Sequence, residues 1–331
     1  MPWPWSRRAA APGAPPPEDP AVTRARLQAE LERQERDQYL LGSGRLPSTA
    51  QQRLAAIGSA AGGLAFTSDL AADEAALLCR QGLEPICLVG GSALYHVGYA
   101  TASAWQDVEV SQLSQAYNEA TRLAVGRMEM EVAAVSGHGA IGVRYAIVRH
   151  EWADGTVEVQ LVGTAVRGPG RAPQRPWLCD LSGQEWFSLH AGGYEPAALC
   201  YGHCTWFVLT QQQDEWTATS YVNAELRHYS EALTHCRNRA GSHLQRLAQS
   251  AGATGIVGVH LSRRLDEVRL TGSDENPAYE REHHNLVLSM IGTGIRRRAE
   301  APARRPVTRL VLSLRDGRLV PREAEAASAF K

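Results

Sequence analysis

No run of about 18 consecutive apolar residues occurs in the 331-residue chain, so no helix that spans a membrane is expected. Charge of one sign is also missing. Thirty-four Lys and Arg against 35 Asp and Glu leave a net charge of -1, which supplies no long-range field to recruit nucleic acid or an anionic membrane. Nucleic acid is therefore not an expected partner. Cysteine is sparse: the six, at positions 79, 87, 179, 200, 204 and 236, form neither a dense disulfide framework nor a pair of C-x-x-C motifs. A reducing, cytoplasmic setting fits, with free thiols serving as small buried hydrophobes. Catalytic signatures are absent too. The chain has no G-x-S-x-G elbow, no P-loop, no G-x-G-x-x-G opening a helix after a strand, and no H-E-x-x-H. Ser92 in VGGSAL resembles a nucleophile, but no partner His or acid can be assigned to it by spacing.

What is present is an ordinary globular composition, 44% apolar and 21% charged, in a length that suits roughly two domains. MPWPWSRRAAAPGAPPPEDP lacks the continuous apolar segment of a signal peptide and is too rich in proline for a helix, so residues 1–19 read as a disordered leader. AVTRARLQAELERQER then reads as a charged, solvated helix within a helical arm over residues 20–66.

An internal repeat organises the rest. SDLAADEAALLCRQGLEPICLVGGSALYHV, Ser68 to Val97, lies over CDLSGQEWFSLHAGGYEPAALCYGHCTWFV, Cys179 to Val208, without a gap and at an offset of 111. Glu84, Pro85 and Gly91 meet Glu195, Pro196 and Gly202. The order continues: Tyr117 and Glu119 meet Tyr229 and Glu231 at an offset of 112, GAIGV meets GIVGV at 116, and VEVQLVGTAVR meets LVLSMIGTGIR at 129. Each copy reads as helix, strand, long helix, strand, strand. Ser68 or Asp69 is expected to cap the first helix, and Gly82 to stop it. The Gly90-Gly91 pair is expected to bend or bulge the following strand. A long helix is expected from Ser111 to Val135, and strands Ala140–Val148 and Thr156–Val166 are joined by the turn signal ADG. The expected organisation is a first module at 67–168, a linker at 169–178, a second module at 179–298, and a hairpin and tail at 299–331. A solitary module of this kind has a thin core, so packing against further copies is expected.

These motifs resemble the YbjQ-like family, whose members are often labelled heavy-metal-binding domains. The matching residues are Tyr117, Glu119, Gly142 and Gly163-Thr164-Ala165 in one copy, and Tyr229, Glu231, Gly252-Ala253, Gly258 and Gly292-Thr293 in the other. The resemblance implies an α+β fold: two tandem YbjQ-like modules, each a small sheet with a packed helix of the dodecin or YbjQ-like kind, forming rings. It implies self-association as a homopentamer, and a tandem chain would then make two stacked rings. The chain departs from the family by carrying His138 and Thr254 where an acidic residue is common.

Two clusters have the chemistry of metal ligands, with zinc or another transition metal as the candidate ion. Cys200, His203 and Cys204 crowd five residues, but on an extended strand Cys200 and Cys204 stand about 13 Å apart, too far for one zinc unless Gly202 turns the chain. His228, Glu231 and His235 share one helix face. The first copy has Val89, Ser92 and Ala93 at the first set and Ala116, Glu119 and Leu123 at the second, so only the glutamate recurs. His283-His284 would point to opposite faces of a strand, and Arg296 to Arg298 with Arg304 and Arg305 read as a solvated linker. The functional expectation is a non-enzymatic, self-assembling ring that serves as a scaffold or binding module. Heavy-metal binding or sensing is one alternative, and a hydrolase or transferase at a subunit interface is another.

Overall fold

The computed structural model describes residues 20–58, 67–98, 106–149, 156–221, 223–268, 283–298, 309–312 and 319–322. The chain divides into two compact units, Met1–Leu64 and Ala65–Lys331. The first unit holds α1 (Pro20–Gly42) and α2 (Ser48–Gly58). The turn between these two helices is tied by Ser48 N–H donating to Asp37 Oδ1 at 2.7 Å, over the buried Leu46 and Leu54. The leader, the ADG signal, residues 269–282, Arg304 and Arg305, residues 313–318 and residues 323–331 lie outside the described residues.

In the second unit the element order is α3 (Ala72–Arg80), β1 (Glu84–His96), β2 (Val108–Glu109), α4 (Ser111–Ala134), β3 (Gly139–Arg149) and β4 (Thr156–Arg167). It continues with β5 (Trp177–Leu178), α5 (Gly183–Ala191), β6 (Tyr194–Val208), α6 (Gln212–Thr219), α7 (Arg227–Ser250), β7 (Gly255–Val268) and β8 (His283–Arg297). Two short strands, β9 (Arg309–Leu312) and β10 (Leu319–Arg322), pair antiparallel. Sheet A is ordered β1-β4-β3-β5 and sheet B β2-β6-β8-β7.

Repeated residues have matched tasks. Gly91 and Gly202 let a long helix lie directly on its strand: a Cβ at Gly91 would sit 2.8 Å from Met128 N, and one at Gly202 2.8 Å from Ala240 C. The expected bend at Gly90-Gly91 is not found, because β1 runs unbroken from Glu84 to His96 with its register shift at Pro85/Cys87. The bulges sit instead at Gly142 and Gly258, with φ of +66° and +65°, where β3 and β7 slip register. Thr164 and Thr293 anchor the entry to the short helices, their Oγ1 atoms each accepting at 3.0 Å from Asp69 N–H and Asp180 N–H. This relocates the first helix start. Ser68 and Asp69 bind Thr164 rather than capping, and α3 begins after Ala71, whose N–H donates to Glu74 Oε2. The second copy carries a full capping box of Ser182 and Glu185.

The two repeat halves are not self-contained. They exchange edge strands. β5, at the head of the second half, pairs parallel with β3, and β2, from the first half, pairs antiparallel with β6. The long helices differ accordingly. α7 buries one stripe, Ala232, Cys236, Ala240, Leu244 and Ala248, against its own sheet. α4 buries a similar stripe through Ala120, Ala124 and Met128, and beside it a second through Ser114, Thr121 and Val125. At 100° per residue the second stripe is turned by roughly a quarter circle from the first, toward β6.

Candidate functional site

The exposed edge of β6, between α4 and α7, is where the most polar chemistry gathers. An edge strand offers a row of unpaired N–H and C=O groups, and here those groups are covered one after another. At Thr205, N–H donates to Ser114 Oγ at 2.9 Å and C=O accepts from Val110 N–H at 2.9 Å. At His203 the Asn118 side chain acts as a surrogate strand, accepting from N–H at 3.2 Å and donating to C=O at 3.0 Å. At Tyr201 the carbonyl lies 3.0 Å from His243 Nδ1. β1 shows the related device: Gly90 N–H donates to Glu131 Oε2 at 2.8 Å and Ser92 C=O accepts from Arg127. Each long helix thus covers an edge of its own sheet, and Arg127 of α4 and His243 of α7 stand at equivalent places, 16 residues after the helix start. Only sheet B receives the further cover of Ser114 and Asn118 from α4.

Beneath that cover His203 is buried among Thr121 Oγ1 at 3.0 Å, Ser289 Oγ at 2.9 Å and Tyr145 OH at 3.3 Å. Burial pushes its pKa from the ordinary value of 6.5 down to about 3, with a smaller contribution from His243. It is a neutral imidazole joining α4, β3 and β8. Above it opens a cleft of about 1040 Å³ between α4, α7 and the end of β1. Three of the four arginines that line this cleft are paired with acids: Arg122 with Glu119, Arg175 with Glu129 at 3.0 Å, and Arg239 with Glu109 at 2.8 Å.

The six residues proposed as ligands are dispersed. β6 stays extended through Gly202, so Cys200 packs with Leu244 and Ala248 while Cys204 packs with Ala232 and Cys236. His203 points to the opposite face. His228 lies against Asp107 and Asp214, Glu231 is exposed, and His235 stacks on Trp206 with ring centroids 4.8 Å apart. Among the described residues no three His, Cys, Asp or Glu side chains are placed to hold a metal ion. The residues that spacing missed are Ser114, Asn118, Thr121, Tyr145 and Ser289. For Ser114, Asn118 and Thr121 the sequence signal was a second, polar stripe on α4 beside its alanine stripe, and Tyr145 on β3 and Ser289 on β8 had none.

The thiols give a direct check on this arrangement. Cys79 is exposed and the other five are buried, with burial pushing Cys200 up to about 11. A thiol reagent at neutral pH is expected to react rapidly with one of the six cysteines in the folded protein and with all six in denaturant. Rapid modification of Cys200 or Cys204 would contradict the packing.

Comparison with curated proteins finds an encapsulin nanocompartment protein of Mycobacterium tuberculosis, 35% identical over 203 residues that make up 60% of this chain and 78% of the relative. The chain belongs to the encapsulin nanocompartment protein family. No family model and no solved structure matches it. Family membership accords with the expectations that the chain is not an enzyme and that it is cytoplasmic.

This encapsulin relationship corrects the resemblance drawn above. The chain is not a YbjQ-like or heavy-metal-binding protein, and its α+β fold is not a tandem YbjQ or dodecin module. The physical reason is visible in Gly91, Gly202, Gly142 and Gly258. They serve close helix-on-sheet approach and left-handed bulges, requirements of a packing geometry that unrelated families share. The homopentamer of two stacked rings falls with the resemblance that implied it, since a compartment must enclose space and a pair of rings leaves its axis open.

Proposed function

We propose that this chain is a non-enzymatic structural subunit that self-assembles, in the cytoplasm, into the wall of a protein nanocompartment. The observation that carries the reading is the kinship with the mycobacterial encapsulin nanocompartment protein over 78% of that relative's length. The structure supports it in two ways. The polar residues between α4, β6 and β8 are spent on covering a strand edge and filling a core rather than on converging around a substrate. All six cysteines are free thiols, as a reducing compartment maintains them.

The test is direct: purified chain examined by light scattering and electron microscopy is expected to form closed, hollow particles of uniform diameter, far heavier than the 36.0 kDa subunit. A solution containing only single chains at micromolar concentration would overturn the reading.

A further inference from the structure

The junction between the two halves can be read as a template for a contact between chains. Within one chain, the first half offers β3 and the second stripe of α4, and the second half receives them on the face of sheet B that carries His203. There Tyr145 of β3 stacks on His203 with ring centroids 5.9 Å apart, Thr205 is fully buried, and Ile291 is 9% exposed. β2 completes the junction by pairing Glu109 with Trp206.

Transferring each position through the repeat offsets gives two surfaces that have no such partner among the described residues. On the offering side, Val143 and Tyr145 become Val259 and Leu261 of β7. Val143 is 4% exposed, but Val259 is 43% exposed and Leu261 50%. On the receiving side, His203, Thr205 and Ile291 become Ser92, Leu94 and Val162 of sheet A. Leu94 is 56% exposed and Val162 39%. Thus positions that bury apolar or polar side chains at the internal junction expose large hydrophobic ones at its two equivalents. Exposed apolar residues scattered singly need no explanation, but these four fall on the two surfaces that the repeat pairs.

We propose that the β7 face of one copy docks on the free face of sheet A in a second copy, with Leu261 over the second copy's Ser92. The contact is heterologous, two different surfaces meeting head to tail, so each chain keeps one of each to continue an assembly. The inference rests on the self-assembly reading above and specifies one of the contacts that reading requires.

The test uses full-length chain carrying Leu261→Asp or Leu94→Asp, each at an exposed position where a charge leaves the isolated fold intact. Native mass spectrometry is expected to show each variant alone failing to reach the wild-type particle mass. An equimolar mixture is expected to restore one sound contact and give complexes that hold both variants in equal number, in multiples of twice 36.0 kDa, because each such pair's two remaining surfaces of this kind are blocked. That restoration also shows that both variants are folded, which matching far-UV circular dichroism checks independently. Wild-type particles forming undiminished from both variants would overturn the docking surfaces and leave self-assembly standing. Two blocked variants that do not pair when mixed would overturn the head-to-tail arrangement. Wild-type protein that stays as single chains would overturn this contact together with the reading it rests on.

Discussion

Gly202→Ala is expected to destabilise the chain by about 3 kcal/mol or more, at or beyond the upper end of ordinary overpacking costs. The new methyl would overlap the Ala240 carbonyl and lie 2.8 Å from its carbon. That obstacle is helix backbone, which cannot rotate away as a side chain tip does. Either α7 lifts from β6, uncovering the Cys204, Cys236 and Ala240 cluster, or the strand bows. Gly91→Ala faces the same obstacle at Ala124 and Met128 and is expected to cost a similar amount. Gly126→Ala serves as the contrast. It lies within α4 with no atom within 4 Å of the new Cβ, so it is expected to stabilise by about 0.5–1 kcal/mol through helix propensity. Urea denaturation of the three variants checks the set, and a Gly202→Ala midpoint equal to wild type would show that helix and strand are not in this close register.

Acidification is expected to produce the second large effect, through His203. Its folded pKa of about 3 lies below the unfolded value near 6.5, so between those values the unfolded chain binds a proton that the folded chain refuses. Stability from this group is complete above about pH 6.5, declines by about 1.4 kcal/mol per pH unit as pH falls, and levels off below about pH 3. Between pH 6.5 and pH 4 the loss amounts to about 3 kcal/mol. His203→Gln keeps a neutral polar group among Thr121, Tyr145 and Ser289 but cannot take up the proton. It is expected to be less stable than wild type at pH 7 and to lose about 3 kcal/mol less than wild type on going to pH 4. Denaturation curves at pH 7 and pH 4 measure the difference, and parallel losses in the two proteins would exclude His203 as its source.

The sequence made some of this readable, and physics explains the division. Elements with a short-range period were visible: α4 is found over Ser111–Ala134 and β3 over Gly139–Arg149, close to the spans their apolar spacing indicates. Gly91 and Gly202 were recognisable as a repeated pair. Their task was misread as a bend because a local pattern does not show what crosses above a glycine. His203 drew notice for its residue type and was grouped with the cysteines beside it. Its actual partners lie 58 to 86 positions away, beyond any spacing argument. The polar stripe of Ser114, Asn118 and Thr121 was not singled out, since nothing local distinguishes a face turned to water from one turned to a second sheet. The family assignment failed for a related reason. Repeated glycines and apolar strands describe how a helix lies on a sheet, and they do not separate one lineage from another.

The cover that α4 gives to β6 has a consequence for synthesis on the ribosome. Ser114, Asn118 and Thr121 are translated some 80 or more residues before the strand they protect, and nascent chains fold from the N-terminus as they emerge. α4 can therefore be seated on β1 and β4 before His203 leaves the exit tunnel. The emerging β6 then finds its edge-covering groups already in place. The strand with the most to lose from meeting another chain's edge spends the least time bare.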